Sequence, residues 1–292
     1  MKLLSFGEVL WDVYPEDRFI GGAPLNFAAH CAKHGLDAYM LSAVGDDELG
    51  RQTLLRLKAF GLHTDFVSIL PHKQTGKCLV TLDENSVPSY NLLSDVAWDE
   101  IPCDTAGQAF DVLYFGTLAL RSQANLANLN ALIAANDFRH IFVDVNIRPP
   151  FYSRASICFA LEHATIVKIS DEELPTVATA LEMTVGDDHE KNAKALAEKF
   201  PNLQLILITL GKEGSCAYDV ASDTFYHQGP VEANVVSTVG AGDSFGAAFL
   251  ARYWEGQPIE CCLEHATRVA AFVVSRFDAI PDYDPNGDFY GA

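Results

Sequence analysis

Positive charge is scarce in this chain. Against 39 aspartates and glutamates stand 20 lysines and arginines, a net charge of −19 over 292 residues. A nucleic acid or an anionic membrane calls for a basic face, so neither is an expected partner. Long apolar runs are missing as well. No stretch approaches 18 apolar residues, and the run that opens the chain is broken by Glu8 and Asp12, so neither a membrane span nor a signal peptide is expected. The seven cysteines are scattered, odd in number and without a Cys-x-x-Cys pair. Zinc sites and disulfide frameworks are therefore poor readings, and free thiols in a reducing cytoplasm are expected. Two nucleotide fingerprints are absent. No Gly-x-Gly-x-x-Gly follows the first strand, where the chain reads Glu8-Val9-Leu10-Trp11-Asp12, and no Walker A string occurs, which excludes a dinucleotide-dependent dehydrogenase and a P-loop kinase. Repeats, low-complexity tracts and flexible linkers are also missing.

What is present is ample material for a core, at 49% hydrophobic residues. The length suits one large domain with a smaller attachment. Apolar strands alternate with amphipathic helices. Lys2–Val9, Ala38–Val44, Val112–Phe115, His140–Val145, Thr165–Ile169 and Gln204–Thr209 read as strands. Ala23–His34, Glu48–Phe60, Ala124–Ala135, Arg154–Glu162, Asp171–Leu181 and Glu190–Phe200 read as helices, with Gly35 and Gly61 as stop signals. This alternation predicts a parallel sheet covered on both faces. From Asp65 to Trp98 no helical period appears. Val67–Leu70, Gly76–Leu82 and Pro88–Leu92 read as short antiparallel strands parted by turn residues such as Asp83-Glu84-Asn85. With residues 13–20 they predict a small sheet outside the main one, serving as a lid.

The sharpest local signal is Ser237-Thr238-Val239-Gly240-Ala241-Gly242-Asp243-Ser244-Phe245-Gly246, a turn of small residues that opens into an apolar helix. At such a junction the amides of roughly Ala241 to Asp243 have no intrahelical partner and point outward at the positive end of the helix dipole. Gly240 and Gly242 let an anion come close. Asp243 lies in the first turn, where its carboxylate can reach a hydroxyl beside that anion. A base and an anion cradle in one turn are what phosphoryl transfer requires.

Thr238–Phe245 resembles the C-terminal signature of the ribokinase-like, or PfkB, family of carbohydrate kinases. Gly21-Gly22-Ala23-Pro24-Leu25-Asn26-Phe27-Ala28 resembles its N-terminal signature. The two stand in the family's order and spacing, and the likeness extends over nearly the whole chain. Within the family, Trp11-Asp12, Gly21–Asn26, Val96-Ala97-Trp98-Asp99 and Asp144-Val145-Asn146-Ile147-Arg148 resemble bacterial fructokinases.

The resemblance implies a three-layer α/β/α sandwich with a mostly parallel central sheet and a small β lid. It implies transfer of the γ-phosphate of ATP, with Mg²⁺, to a sugar hydroxyl. Asp243 would be the base, and the Gly240-Ala241-Gly242 backbone would hold the charge that develops on the phosphoryl group. Asp12, Gly21, Gly22 and Asn26 would contact sugar. Arg148, just past a buried strand, would hold sugar oxygens or phosphate. Tyr90 would stack on the sugar or pack within the lid. Lys168-Ile169-Ser170-Asp171-Glu172-Glu173 resembles the family's Asn-x-x-Glu motif, with Glu173 acting on the metal through water and Ser170 replacing the common Asn. Thr209, Gly211 and Gly214 match a nucleotide-side loop, in which the glycines would let the backbone pass under ATP. Ser237 stands where many members carry Asp, which argues against potassium activation. Arg276-Phe277-Asp278-Ala279 lacks the usual Gly before Ala, so the adenine-side loop is expected to differ in shape.

Fructose is the expected acceptor. Ribose, ketodeoxygluconate, another ketohexose and a non-catalytic sugar-binding role on the same fold remain alternatives. Residues 85–98 contain no Lys or Arg, which weighs against an acidic sugar, although Arg148 could serve one. The family leaves open a homodimer formed through the lid.

Overall fold

The computed structural model describes residues 1–82 and 88–287. Strand β1 (Lys2–Phe6) enters the centre of the main sheet, and the chain then leaves that sheet at Gly7. The next strands, β2 (Leu10–Val13) and β3 (Arg18–Gly21), belong to a second sheet. The strand expected over Lys2–Val9 thus ends at Phe6, and the next strand begins only at Leu10, in the small sheet. Glu8 interrupts the apolar run, and Gly7, at φ 144, marks the turn before it.

Helix α1 (Ala23–Lys33) follows, then β4 (Asp37–Gly45), α2 (Glu48–Ala59) and β5 (Val67–Leu70). Strands β6 (Gly76–Leu82) and β7 (Pro88–Leu92) return to the small sheet. The turn read at Asp83-Glu84-Asn85 lies outside the described residues. The rest of the chain alternates through β8 (Val112–Gly116), α3 (Gln123–Ala134), β9 (His140–Asp144), α4 (Arg154–His163), β10 (Ile166–Ser170), α5 (Leu174–Leu181), α6 (His189–Lys199) and β11 (Leu205–Thr209). It closes with β12 (Ser215–Asp219), β13 (Thr224–Gln228), α7 (Ala241–Trp254) and α8 (Ile259–Val274).

The large sheet has nine strands in the order β13-β12-β11-β10-β9-β8-β1-β4-β5. From β11 to β5 the pairs are parallel, so the C-terminal ends of β1, β8, β9, β10 and β11 share one edge. The hairpin β12–β13 is added antiparallel at the far side, an element that periodicity did not reveal. One correction concerns Val67–Leu70, expected in the small sheet. It runs parallel beside β4, with Val67 opposite Ser42, because α2 is the crossover that returns the chain to the main sheet. The small sheet is β3-β2-β6-β7, and its β2–β6 pair is parallel rather than antiparallel.

Successive residues of the central strands face opposite cores. Leu4, Phe6, Phe115 and Val143 pack with side chains of α3 to α6, such as Leu129, Ile157, Val177 and Leu196. Leu3, Tyr114 and Phe142 pack with α1, α2, α7 and α8 through Phe27, Leu57, Phe249 and Leu263. Continuous apolar strands buried on both faces produce this three-layer sandwich. Phe27 stacks on Tyr114 with ring centroids 3.8 Å apart, which ties α1 to the sheet above the strand ends that form the site.

Candidate active site

Helix α7 starts at Gly240, which caps it in the left-handed conformation at φ 81 and ψ −4. A Cβ there would sit 2.7 Å from the Ala279 carbonyl oxygen, so glycine is required by backbone shape and by space. Among the described residues no side chain caps this helix. The Ala241 amide bends back to the Thr238 carbonyl at 3.3 Å, which narrows the expected cradle by one donor. Among the described residues the Gly242 and Asp243 amides have no partner, and they lie at the positive end of a 14-residue helix.

Asp243, two residues into the helix, is buried at 9% exposure, and its Oδ2 accepts a hydrogen bond from Asn26 Nδ2 at 2.8 Å. Burial pushes its carboxyl up to about 6. Asp144 adds to the rise, while the Asn26 bond and the cations of Lys168 and Arg148 oppose it. The group is ionised at neutral pH yet basic enough to accept a proton.

Asn26 sits on the first turn of α1, where Gly22 is the helix cap at φ 122 and ψ 126. A Cβ on Gly22 would meet the Glu8 carbonyl oxygen at 2.4 Å, so this glycine allows the chain after β3 to close against the chain after β1. Asn26 Oδ1 is buried without a partner among the described residues. Asp12 is on β2, and its Oδ2 lies 3.4 Å from where a Gly21 Cβ would be. Burial raises the Asp12 carboxyl, with the Cys78 thiol and the Arg148 guanidinium opposing the rise. Arg148 is exposed and its guanidinium forms no hydrogen bond or ion pair among the described residues, while its charge acts on Glu8, Asp12, Asp144 and Asp243.

Beyond the cradle, Lys168 on β10 donates from Nζ to Asp144 Oδ1 at 2.8 Å, with both side chains almost fully buried. The ammonium lies 3.1 Å from where a Gly242 Cβ would be, so it faces the helix mouth. Burial alone would lower the Lys168 ammonium. The carboxylates of Asp144, Glu173 and Asp243 outweigh burial and raise it, so it remains a cation.

Glu173 bridges two sheet ends. Its Oε1 accepts from the Ile147 amide at 2.6 Å, and its Oε2 accepts from the Ser170 amide and hydroxyl at 2.9 Å. Ser170 is therefore the residue that holds Glu173. Asp171–Glu173 form a turn, and α5 starts only at Leu174, three residues later than the helix read from the sequence. Thr209 ends β11 opposite Ser170, which places it on the neighbouring strand end. Gly211 faces open space. Gly214 has a packing reason of its own. A Cβ on it would meet the Gln228 carbonyl oxygen at 2.1 Å, so its smallness lets β12 enter beside β13. Tyr90 lies on β7 with its backbone opposite Val80, and its side chain is outside the described residues.

The sequence reading passed over Glu8. It is 2% exposed, and its Oε2 has no partner among the described residues. Burial pushes it up to about 7. Asp243 adds to the rise, and its own amide, Arg148 and the Ala23 amide oppose it. In the sequence it reads only as an interruption of an apolar run. A buried carboxyl next to a glycine-marked strand break is the signal that could have found it.

An open parallel sheet whose strand ends converge on a helix mouth with open amides and a buried carboxylate defines a phosphoryl-transfer scaffold. The chain belongs to the pfkB family of carbohydrate kinases, whose pattern it matches over residues 13–285. It is 29% identical to a fructokinase of Solanum tuberosum, over 96% of this chain and 91% of that one. It is 27% identical to a 5-dehydro-2-deoxygluconokinase of Geobacillus thermodenitrificans, over 91% of this chain and 82% of that one. In fold it is similar to the ATP-bound fructokinase of Xylella fastidiosa, with a TM-score of 0.82 at 20% identity, covering 96% of this chain and 94% of the other. The three-layer ribokinase-like fold and the carbohydrate-kinase class expected from the sequence are thereby established. Among the described residues no helix is long and apolar enough to cross a membrane.

Proposed function

We propose that this carbohydrate kinase moves the γ-phosphoryl group of ATP to a hydroxyl of fructose, with Asp243 as the general base. The observation that carries the reading is Asp243 itself, a buried carboxylate held by Asn26 at 2.8 Å in the turn whose amides stand open. A hydroxyl against the carboxylate lies beside a phosphoryl group against the amides. The hydroxyl oxygen attacks the γ-phosphorus, its proton passes to Asp243, and ADP leaves with the electrons of the broken P–O bond. The Gly242 and Asp243 amides, with Lys168 behind them, stabilise charge on the phosphoryl oxygens, and the Gly240 cap and Ala241 set their direction.

When bound, Mg²⁺ would supply charge neutralisation on the phosphates. Both Glu173 oxygens already accept protein hydrogen bonds, and no cluster of three His, Cys, Asp or Glu ligands occurs among the described residues. Glu173 would therefore hold such an ion through water rather than as a direct ligand. Asp12, Gly21, Gly22, Asn26 and Arg148 make the sugar side, and the β3-β2-β6-β7 sheet, with Tyr90 on β7, is read as the lid over it. Thr209 and Gly211 are assigned to the nucleotide side.

The choice of fructose is supported by the segments named above, by the lack of Lys and Arg in residues 85–98, and by similarity to the potato fructokinase. A sugar acid is the second reading. It is favoured by the unengaged Arg148 guanidinium and by similarity to 5-dehydro-2-deoxygluconokinases. ADP release with MgATP, measured over fructose, ribose, glucose, 2-keto-3-deoxygluconate and 5-dehydro-2-deoxygluconate, decides between them. Fructose is expected to give the highest kcat/KM, and a larger value on either sugar acid would transfer the assignment to it.

A further inference from the structure

We propose that His30 is a positioning residue that locks the phosphate cradle to the sugar-binding helix, so that binding at one substrate site strengthens binding at the other. The proposal rests on the kinase reading of the site, and it concerns a residue that reading does not use.

His30 is fully buried on α1, one turn beyond Asn26. Its Nε2 lies 2.9 Å from the Ala279 carbonyl oxygen and its Nδ1 lies 2.7 Å from the Tyr283 hydroxyl. A carbonyl oxygen only accepts, so Nε2 carries the hydrogen. Burial holds the ring neutral, pushing it down to about 4, so Nδ1 is an acceptor and the Tyr283 hydroxyl donates to it. The side chain thus has one geometry that satisfies both nitrogens.

The loop it grips is the one that supports the cradle. Ala279 packs directly on Gly240, where an added Cβ would be 2.7 Å from its carbonyl oxygen, 2.9 Å from its Cβ and 3.0 Å from its Cα. The carbonyl that accepts from His30 is therefore also the atom nearest the α7 cap. Lys33, on the same face of α1, reaches Asp282 of this loop at 2.9 Å. At the other end of the face, Asn26 holds the carboxylate of Asp243 at 2.8 Å. One rigid helix thereby grips both ends of the reacting centre, the base through Asn26 and the cap of the anion cradle through His30 and Ala279. A ligand that orders the sugar end of α1 orders the cradle too, and such coupling is reciprocal.

The test measures coupling. The dissociation constant of Mg-AMP-PNP is determined with and without the best sugar from the panel. In the native protein the sugar is expected to tighten nucleotide binding. In His30→Ala that factor should fall to near one and the KM for ATP should rise about tenfold, with the sugar affinity of the nucleotide-free protein within about twofold of native. His30→Gln can still donate to the Ala279 carbonyl and should recover most of the coupling. Nitrogen-15 NMR should show the Nε2-protonated tautomer, and Tyr283→Phe should shift the Nδ1 resonance and weaken the coupling even if His30→Ala fails to fold. Unchanged coupling in His30→Ala, absence of rescue by Gln, or an Nδ1-protonated ring would each overturn the proposal. A protein that phosphorylates no sugar would defeat the kinase reading instead, because the tautomer and the dependence of AMP-PNP affinity on His30 do not require turnover.

Discussion

Asn26 on α1 donates from Nδ2 to Oδ2 of Asp243 on α7 at 2.8 Å, joining groups 217 residues apart in sequence. The bond fixes the carboxylate rotamer and leaves Oδ1 as the oxygen free to receive a proton. Asp243→Asn keeps the volume and removes the proton acceptor. It should lower kcat by about 10²-fold or more with little change in the circular dichroism spectrum. Near-native turnover would remove Asp243 from the base role.

A base that titrates near 6 gives a definite pH profile. Activity requires the ionised carboxylate, so kcat/KM should fall on the acid side with an apparent pKa near 6. Asn26→Ala removes a bond that favours the charged form and should move this limb upward. A profile flat from pH 5 to 8 would contradict the assignment.

The raised values also bear on stability. A carboxyl whose folded pKa exceeds its unfolded value binds more protons folded than unfolded between the two. Stability is therefore lost as pH rises through that window, about 3.8 to 6 for Asp243 and 4.5 to 7 for Glu8. Asp243→Asn and Glu8→Gln should each stabilise the ligand-free protein above the window, by roughly 3 kcal/mol, with the gain shrinking as pH falls toward 4. Thermal melts at pH 8 and pH 5 check this. Near pH 6 the Glu8 carboxyl is already mostly protonated, so Glu8→Gln should leave the acid limb set by Asp243 nearly in place.

The Lys168–Asp144 pair is buried at 2.8 Å, and removing one partner leaves a charge without compensation. Lys168→Met should destabilise the protein by about 3–5 kcal/mol. Adding Asp144→Leu should restore most of that loss without restoring turnover, because the cation behind Gly242 is still missing. Denaturation midpoints beside kcat for the single and double variants separate the two effects.

Much of the scaffold was legible because strands such as Val112–Gly116 and Leu205–Thr209 are continuous apolar runs and the helices between them are amphipathic. The cradle was legible because glycine and small residues before an apolar helix have a local meaning. What depends on distant contacts was not. Val67–Leu70 has the composition of a lid strand, and only its pairing with β4 decides otherwise. Gly214 reads as a nucleotide-side loop glycine, and the packing reason that the nearby Gln228 carbonyl adds is not visible in the sequence. Glu8 and His30 carry no motif, and their meaning comes from burial between elements far apart in the chain.

The most direct test of the central claim is ADP release by native protein and Asp243→Asn, assayed side by side with MgATP and fructose. The account expects fructose-dependent release by the native protein, reduced about a hundredfold or more in the variant while Mg-AMP-PNP still binds. Fructose-dependent release of equal rate in both proteins would contradict it.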